Sequence, residues 1–332
     1  MKKKRNISYK ISSKKIARVK DEKTSISTLM TSRIITHHEQ GKSSRQIIQG
    51  DCLKHLLDLN TASVDLTFLD PPFNQNKEYN HHDDNLPDEK YWAMMDTVCK
   101  GVYNITSKGG AIYFMQREKN TEKVLRCLRQ AGWTFQNLIV WKKKTSAVPC
   151  SNKFGKHYQV IAFATKGDKT RVFNRLRITP PLPANYKYEH ENGVYVTDVW
   201  DDIRELTAGY FAGDEAIRSG NGERFHKQQS PIALLLRIIL SSTGIGDTVL
   251  DPFAGTGTTL VAAEQLGRKS IGIEIDPENV KCIENRLKHI SKADSVTRFY
   301  KEYIHTNNLK TIWNLESAPT LPKKEEALSL FK

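Results

Sequence analysis

An α/β fold, with a mostly parallel sheet covered by helices on both faces, is predicted by three features of this sequence. Strand-like apolar runs alternate with helical stretches over most of the chain. The runs VDLTFL, AIYFMQ and YQVIAFAT are almost continuously apolar, as strands buried on both faces are. Two of the runs end in an acid followed by proline, 68-FLDPPFNQN-76 and 249-VLDPFAGTGTT-259, and so break off at rigid corners.

Residues 1–45 are polar, basic and weakly periodic, and are expected to form a flexible arm. From Gln46 the pattern tightens into IIQGD, a helical LKHLLDLN, a turn and the strand VDLTFL. Consecutive prolines end that strand, because each lacks an N–H and has φ fixed. After the polar loop QNKEYNHHDDNLPDEK, amphipathic spacing predicts a helix from about Tyr91 to Ile105, and AIYFMQ follows the Lys108–Gly110 turn as a strand. EKVLRCLRQAG reads as a helix closed by glycine, then TFQNLIVW and YQVIAFATKG as strands. From about Asp168 to Arg224 the alternation lapses into loops and short strands, with Pro180, Pro181 and Pro183. Regularity returns with the apolar helix PIALLLRIILSST, the strand TVLDPFAG, the helix TTLVAAEQLG, the strand SIGIEID and the helix ENVKCIENRLKHI. The regular pattern thus spans 46–291, and 292–332 reads as a charged, irregular tail.

A net charge of +14 over 332 residues, with 38% hydrophobic and 27% charged side chains, favours a polyanionic partner, and nucleic acid is the commonest one. No apolar run approaches the roughly 20 residues of a membrane helix. The N-terminal MKKKRNISYKISSKK lacks the apolar core of a signal peptide, so a cytoplasmic location away from membranes is expected. Cys52, Cys99, Cys127, Cys150 and Cys282 form no CxxC pair, which argues against a zinc knuckle or disulfide framework and for buried or semi-buried thiols.

The second corner is strand, Gly-rich turn, helix, strand, acid. Gly255 and Gly257 would let the backbone approach a ligand closely, and the helix after them offers free N–H groups. No Gly-Lys-Ser/Thr follows, so this is not a phosphate-gripping loop, and Leu260 stands where a dinucleotide fingerprint has its third glycine. A tight turn alone would also produce Gly-x-Gly. Glu274, at the end of the next strand, adds an acid placed to accept from ribose hydroxyls. Together these describe a nucleoside-bearing cofactor without phosphate, which S-adenosyl-L-methionine fits.

With both corners in hand the chain resembles the DNA amino-methyltransferases that modify adenine N6 or cytosine N4. Asp70-Pro71-Pro72-Phe73-Asn74, followed about 180 residues later by the Asp251–Thr259 stretch, is the motif order of their β group. Supporting phrases are 50-GDCLKHLLDLNTASVDLTFLDPPFN-74, Trp141-Lys142 after a strand, 198-DVW-200 and 242-STGIGDTVLDPF-253. The resemblance covers about residues 46 to 291 and implies a Rossmann-like S-adenosylmethionine methyltransferase sheet. It also implies a permuted motif order and a target-recognition segment inserted at about 168–224.

Carried over residue by residue, it implies catalysis by Asp70, Pro71, Pro72 and Phe73. Cofactor contacts fall on Asp51 and Asp70, on His226 and Gln229, on Asp251, Phe253, Gly255, Gly257, Thr258 and Thr259, and on Glu274 and Asp276. Double-stranded DNA is the implied substrate, and a homodimer and a cognate restriction endonuclease are the implied partners; no metal is expected. The stretch 226-HKQQSP-231 keeps His226, Gln229 and Pro231, but Ser230 stands where the family commonly has a lysine reaching the cofactor carboxylate. Phe73 replaces the commoner Tyr, and Gln159 stands where an acid is frequent.

An exocyclic amine is a poor nucleophile because its lone pair is conjugated into the ring. If Asp70 and the carbonyl of Pro71 accept its two N–H hydrogens, the lone pair is freed to attack a sulfonium methyl directly, and the prolines hold that carbonyl in place. The base must first leave the duplex, and Phe73 would then stack on it. A core role for Phe73 is the alternative. The acid at the first motif position favours adenine N6 over cytosine N4, with an RNA amino group less favoured by the long recognition segment. A non-catalytic DNA-binding protein that kept the fold is the reading from a different class.

Pro149-Cys150 is read as carrying a structural thiol, not the nucleophile of cytosine-C5 enzymes. His81-His82-Asp83-Asp84 suggests a mobile lid over the flipped base, or a solvated loop, rather than a metal site. Lys142, Lys143, Lys144 and the stretch Lys166 to Arg177 offer phosphate contacts or solvated faces.

Overall fold

The computed structural model describes residues 33–37, 44–75, 84–145, 150–179, 192–206, 214–218, 222, 225 and 229–314. All belong to one compact unit that runs from Ser32. The expectations for residues 1–32, His81, His82, Asp83, Pro149, Pro180, Pro181, Pro183 and His226 lie outside the described residues.

Among the described residues the main sheet has nine strands. They are β1 (Arg33–His37), β2 (Arg45–Gln49), β3 (Val64–Leu69), β4 (Thr106–Arg117), β5 (Thr134–Lys142), β6 (Tyr158–Thr165), β9 (Val199–Trp200), β10 (Thr248–Asp251) and β11 (Lys269–Glu274). Their order is β1-β2-β11-β10-β3-β4-β6-β5-β9, and β7 (Arg177–Ile178) and β8 (Val194–Tyr195) form a separate antiparallel pair. The run β2-β11-β10-β3-β4 is parallel, whereas β6 lies antiparallel to both β4 and β5. The sheet is therefore mostly parallel, as the unbroken apolar runs predict.

The helices are α1 (Cys52–His55), α2 (Asp88–Ile105), α3 (Thr121–Ala131), α4 (Ile232–Ser242), α5 (Thr258–Gln265), α6 (Pro277–Lys288) and α7 (Leu309–Ile312). Two hydrophobic clusters lie on opposite faces of the sheet. Along β4, Ala111, Tyr113 and Met115 join residues of α4, α5 and α6, while Ile112 and Phe114 join those of α2 and α3, because successive strand side chains point to opposite faces.

Four boundaries differ from the sequence-based expectation; the first is the turn expected at Lys108–Gly110, which lies inside β4. The helix expected over LKHLLDLN is only the single turn of α1, after which Leu57 is exposed. β1 lies within the expected arm and pairs with β2, Arg33 opposite Gln49, at the sheet edge. The expected tail carries a 3-10 segment, Val296–Tyr303, and α7; Trp313 is fully buried, and Tyr300 and Tyr303 nearly so. Buried Arg237 of α4 ties this segment down: Nε donates to the Tyr303 hydroxyl at 3.1 Å, and Nη1 to Asp202 at 2.8 Å.

Candidate active site

The carboxyl ends of β2, β11, β10, β3, β4 and β5 share one rim, where open α/β sheets place their ligands. Register brings both corners together there. Leu250 is level with Thr67, Asp251 with Gly272, and Glu274 with Gln49, so Asp70, Phe253, Glu274 and Asp51 all lie within a few residues of neighbouring strand ends.

At the first corner Asp70 is half-buried and its Oδ2 accepts a hydrogen bond from Ser230 Oγ at 3.0 Å. Ser230, the departure from the family pattern, thus bonds the acid directly. The Pro72 carbonyl accepts from the Tyr91 hydroxyl at 2.8 Å, and that hydroxyl accepts from Gln116 Nε2 at 2.9 Å, so this carbonyl is turned toward α2. Asn74 takes a left-handed φ of 51° and is clasped to Leu86 by two hydrogen bonds of 2.7 and 2.8 Å. Buried Asp84, expected in the lid, accepts from the backbone N–H groups of Asn74 and Gln75 at 2.7 and 3.0 Å. It is a structural clasp, which the sequence did not signal. Phe73 is only 6% exposed and belongs to the core cluster.

Lys143 stands on the same rim, its Nζ 3.6 Å from the centre of the Trp141 ring and hydrogen-bonded to Gln159 Oε1. Burial pushes its pKa down to about 8, opposed by the carboxylates of Glu205 and Asp70. Gln159, a further departure, therefore holds a cation near the acid.

At the second corner Glu274 is buried and accepts from the N–H groups of Gly255 at 2.7 Å and Asp276 at 2.8 Å, and from Asn279 Nδ2 at 3.3 Å. Burial nevertheless raises its pKa to about 7. A Cβ on Gly255 would meet only the Phe253 carbonyl oxygen, at 3.9 Å, so this is the glycine that leaves open space. Gly257 differs: its φ is 80°, and a Cβ there would lie 2.8 Å from Ile283 of α6. Helix packing by itself therefore requires a glycine at this position. Leu260, in the place of a third glycine, packs on Gly272 of β11, where a Cβ would come within 2.8 Å of it.

Other expected cofactor residues have internal partners. Asp251 accepts from Phe253 N–H at 3.1 Å and Thr259 Oγ1 at 2.5 Å, and burial raises its pKa to about 6. Thr258 Oγ1 accepts from Arg286, which also bonds the Thr256 carbonyl at 2.6 Å and pairs with Asp294 at 2.6 Å. Asp51 caps α1 and Asp276 caps α6. Gln229 bridges Ile217 N–H at 3.1 Å and the Glu215 carbonyl at 2.9 Å. Cys52, Cys99 and Cys127 are buried, whereas Cys150 is exposed, and among the described residues no His/Cys/Asp/Glu group could hold a metal.

A profile of the DNA methylase family, the N6/N4 methyltransferases, matches residues 64–285. The chain belongs to that family. The methylase is 32% identical over 267 residues to the DNA adenine methyltransferase YhdJ of Escherichia coli (strain K12), covering 74% of this chain and 84% of that protein. It is 30% identical over 244 residues to the type II methyltransferase M.HpaI of Haemophilus parainfluenzae, covering 73% and 74%. The cytosine-N4-specific PvuII DNA methyltransferase shares the fold at a TM-score of 0.55 and 18% identity, over 81% of this chain and 93% of that one. M1.HpyAVI, solved with SAM, does so at 0.50 and 22%, over 74% and 100%.

Proposed function

We propose that this methylase transfers the methyl group of S-adenosyl-L-methionine to the N6 amino group of adenine in double-stranded DNA. The observation that carries the reading is the adjacency of β3 and β10, which sets Asp70 beside the glycine corner. An amine acceptor and a nucleoside site must be neighbours for direct transfer. The open space at Gly255 and the buried acid Glu274 fit an adenosine. When bound, S-adenosylmethionine supplies a sulfonium methyl.

Glu274 and Asp51 would accept hydrogen bonds from the nucleoside, with Phe253 and His226 as further contacts. Asp70 and the Pro71 carbonyl accept the amino hydrogens and free the lone pair. Ser230 orients Asp70, and Lys143 sets a positive charge near it. Phe73 stacks on the extruded base once the corner opens. The sequence order, catalytic corner before cofactor corner, fits a permuted arrangement, and residues 168–224 fit a target-recognition segment. The similarity to M.HpaI, a type II methyltransferase, fits a cognate restriction endonuclease, and a homodimer belongs to the same reading.

Mass spectrometry of nucleosides from DNA incubated with the protein and labelled cofactor tests this. N6-methyladenine is expected. N4-methylcytosine would move the target to cytosine, and an unmodified product would leave a DNA-binding protein without catalysis.

A further inference from the structure

The loop between β5 and β6 rises from the rim that carries Asp70. β5 runs parallel to β4, and Arg117, Gln159 and Trp141 stand level at its base. Its neck is held from three sides. Lys143 N–H donates to the His157 carbonyl at 2.8 Å, Lys156 pairs with Glu118 at 2.9 Å, and the Glu205 carboxylate accepts from Lys144 and Thr145 N–H at 2.8 and 3.0 Å. On this anchored neck Phe154 is 97% exposed, the most exposed large apolar side chain among the described residues. From Lys142 to Lys156 the sequence has five lysines and no acid; Lys143 and Lys156 bond Gln159 and Glu118, and Lys142, Lys144 and Lys153 are exposed.

A ring in water contributes nothing to the fold, and the lysines around it suit a phosphate backbone. We propose that Phe154 is a wedge that enters the base stack of duplex DNA and fills the gap left by the extruded base. Apolar side chains inserted between base steps do this by offsetting lost stacking. The inference rests on the base-extrusion reading above. An anionic lipid surface would also attract a basic loop with an exposed aromatic ring, but this loop shares its rim with the acid that must meet DNA.

The test uses the full chain, wild type, Phe154→Ala and Phe154→Trp, on the duplex site mapped from wild-type methylation. A second duplex carries an abasic position opposite the target, which removes the pairing that extrusion must break. Melting temperature should be unchanged in both variants. Phe154→Ala should lose about tenfold or more in kcat/KM on the paired duplex and much less on the abasic-opposed one, with Phe154→Trp retaining most activity. Full Phe154→Ala activity on the paired duplex would overturn the wedge, as would an equal loss on both duplexes. So would weakened binding to anionic vesicles with methylation unchanged. A wild type that methylates no DNA would overturn the function itself, a separate outcome.

Discussion

Asp70 is the residue whose proposed role the sequence carries most directly, because an acid followed by two prolines at a strand end constrains both charge and backbone. Its partner Ser230 was not legible, since their bond joins positions 160 apart. Asp70→Ala should keep cofactor affinity, measured by calorimetry, and lose methyl transfer; a fully active variant would end the proposed mechanism. Phe73 is the residue for which burial weighs against a purely stacking role. Phe73→Ala should lower the melting temperature, with about 3 to 5 kcal/mol lost if the ring is chiefly core. Unaltered melting with a defect that persists on a mispaired duplex would instead assign it to stacking. Glu274 carries a pH signature. Its folded pKa of about 7 lies above the ordinary 4.5, so the native protein holds the proton more tightly than the unfolded chain. The corresponding stability is complete below 4.5 and is lost as pH rises through about 7. Asp251, raised to about 6, acts in the same direction. The cofactor-free protein should therefore melt at lower temperature as pH rises across this window, and Glu274→Gln should flatten the slope. Ribose hydroxyls favour the carboxylate form, so cofactor binding near neutral pH should release a proton, detectable by calorimetry in buffers of different ionisation heat.

Strands and helices flanking the corners were legible because each is long, apolar and bounded by glycine, proline or acid. The segment after Lys292 was not. Tyr300 and Tyr303 are three residues apart, the period of a 3-10 turn, and lie among charged residues, so no helical stripe emerges although both are buried. Likewise, spacing shows that Gly257 permits a turn but not which neighbour fills the space beside it. α6 does, through Ile283. Gly257→Val combines a clash at 2.8 Å with an unfavourable φ of 80°, and should destabilise by about 1 to 3 kcal/mol in thermal unfolding even without cofactor. A variant that melts normally and only loses cofactor would assign the glycine to the ligand instead. Arg286 links α6 to Thr256 of the glycine turn and to Asp294. Asp294→Asn should therefore loosen the turn and weaken cofactor binding without touching the ligand.

At the scale of the whole molecule the charge and the sheet were readable in outline, while the strand order was not, because it depends on pairings between distant segments. β2 and β3 are consecutive in sequence, yet β11 and β10 lie between them in the sheet. Until those two late strands exist, β3 is paired with β4 alone, and its other edge lies open in a strand whose side chains Val64, Leu66, Phe68 and Leu69 are buried in the finished fold. About 180 residues separate Leu69 from Thr248. At a ribosomal rate of about 5–20 residues per second, that edge stays open for roughly 10 to 35 s of synthesis. An unpaired apolar edge is a template for aggregation. Nascent chains arrested between β9 and β10 should therefore bind holdase chaperones, and release should come only when β10 slots in beside β3, the same event that first brings the two halves of the site together.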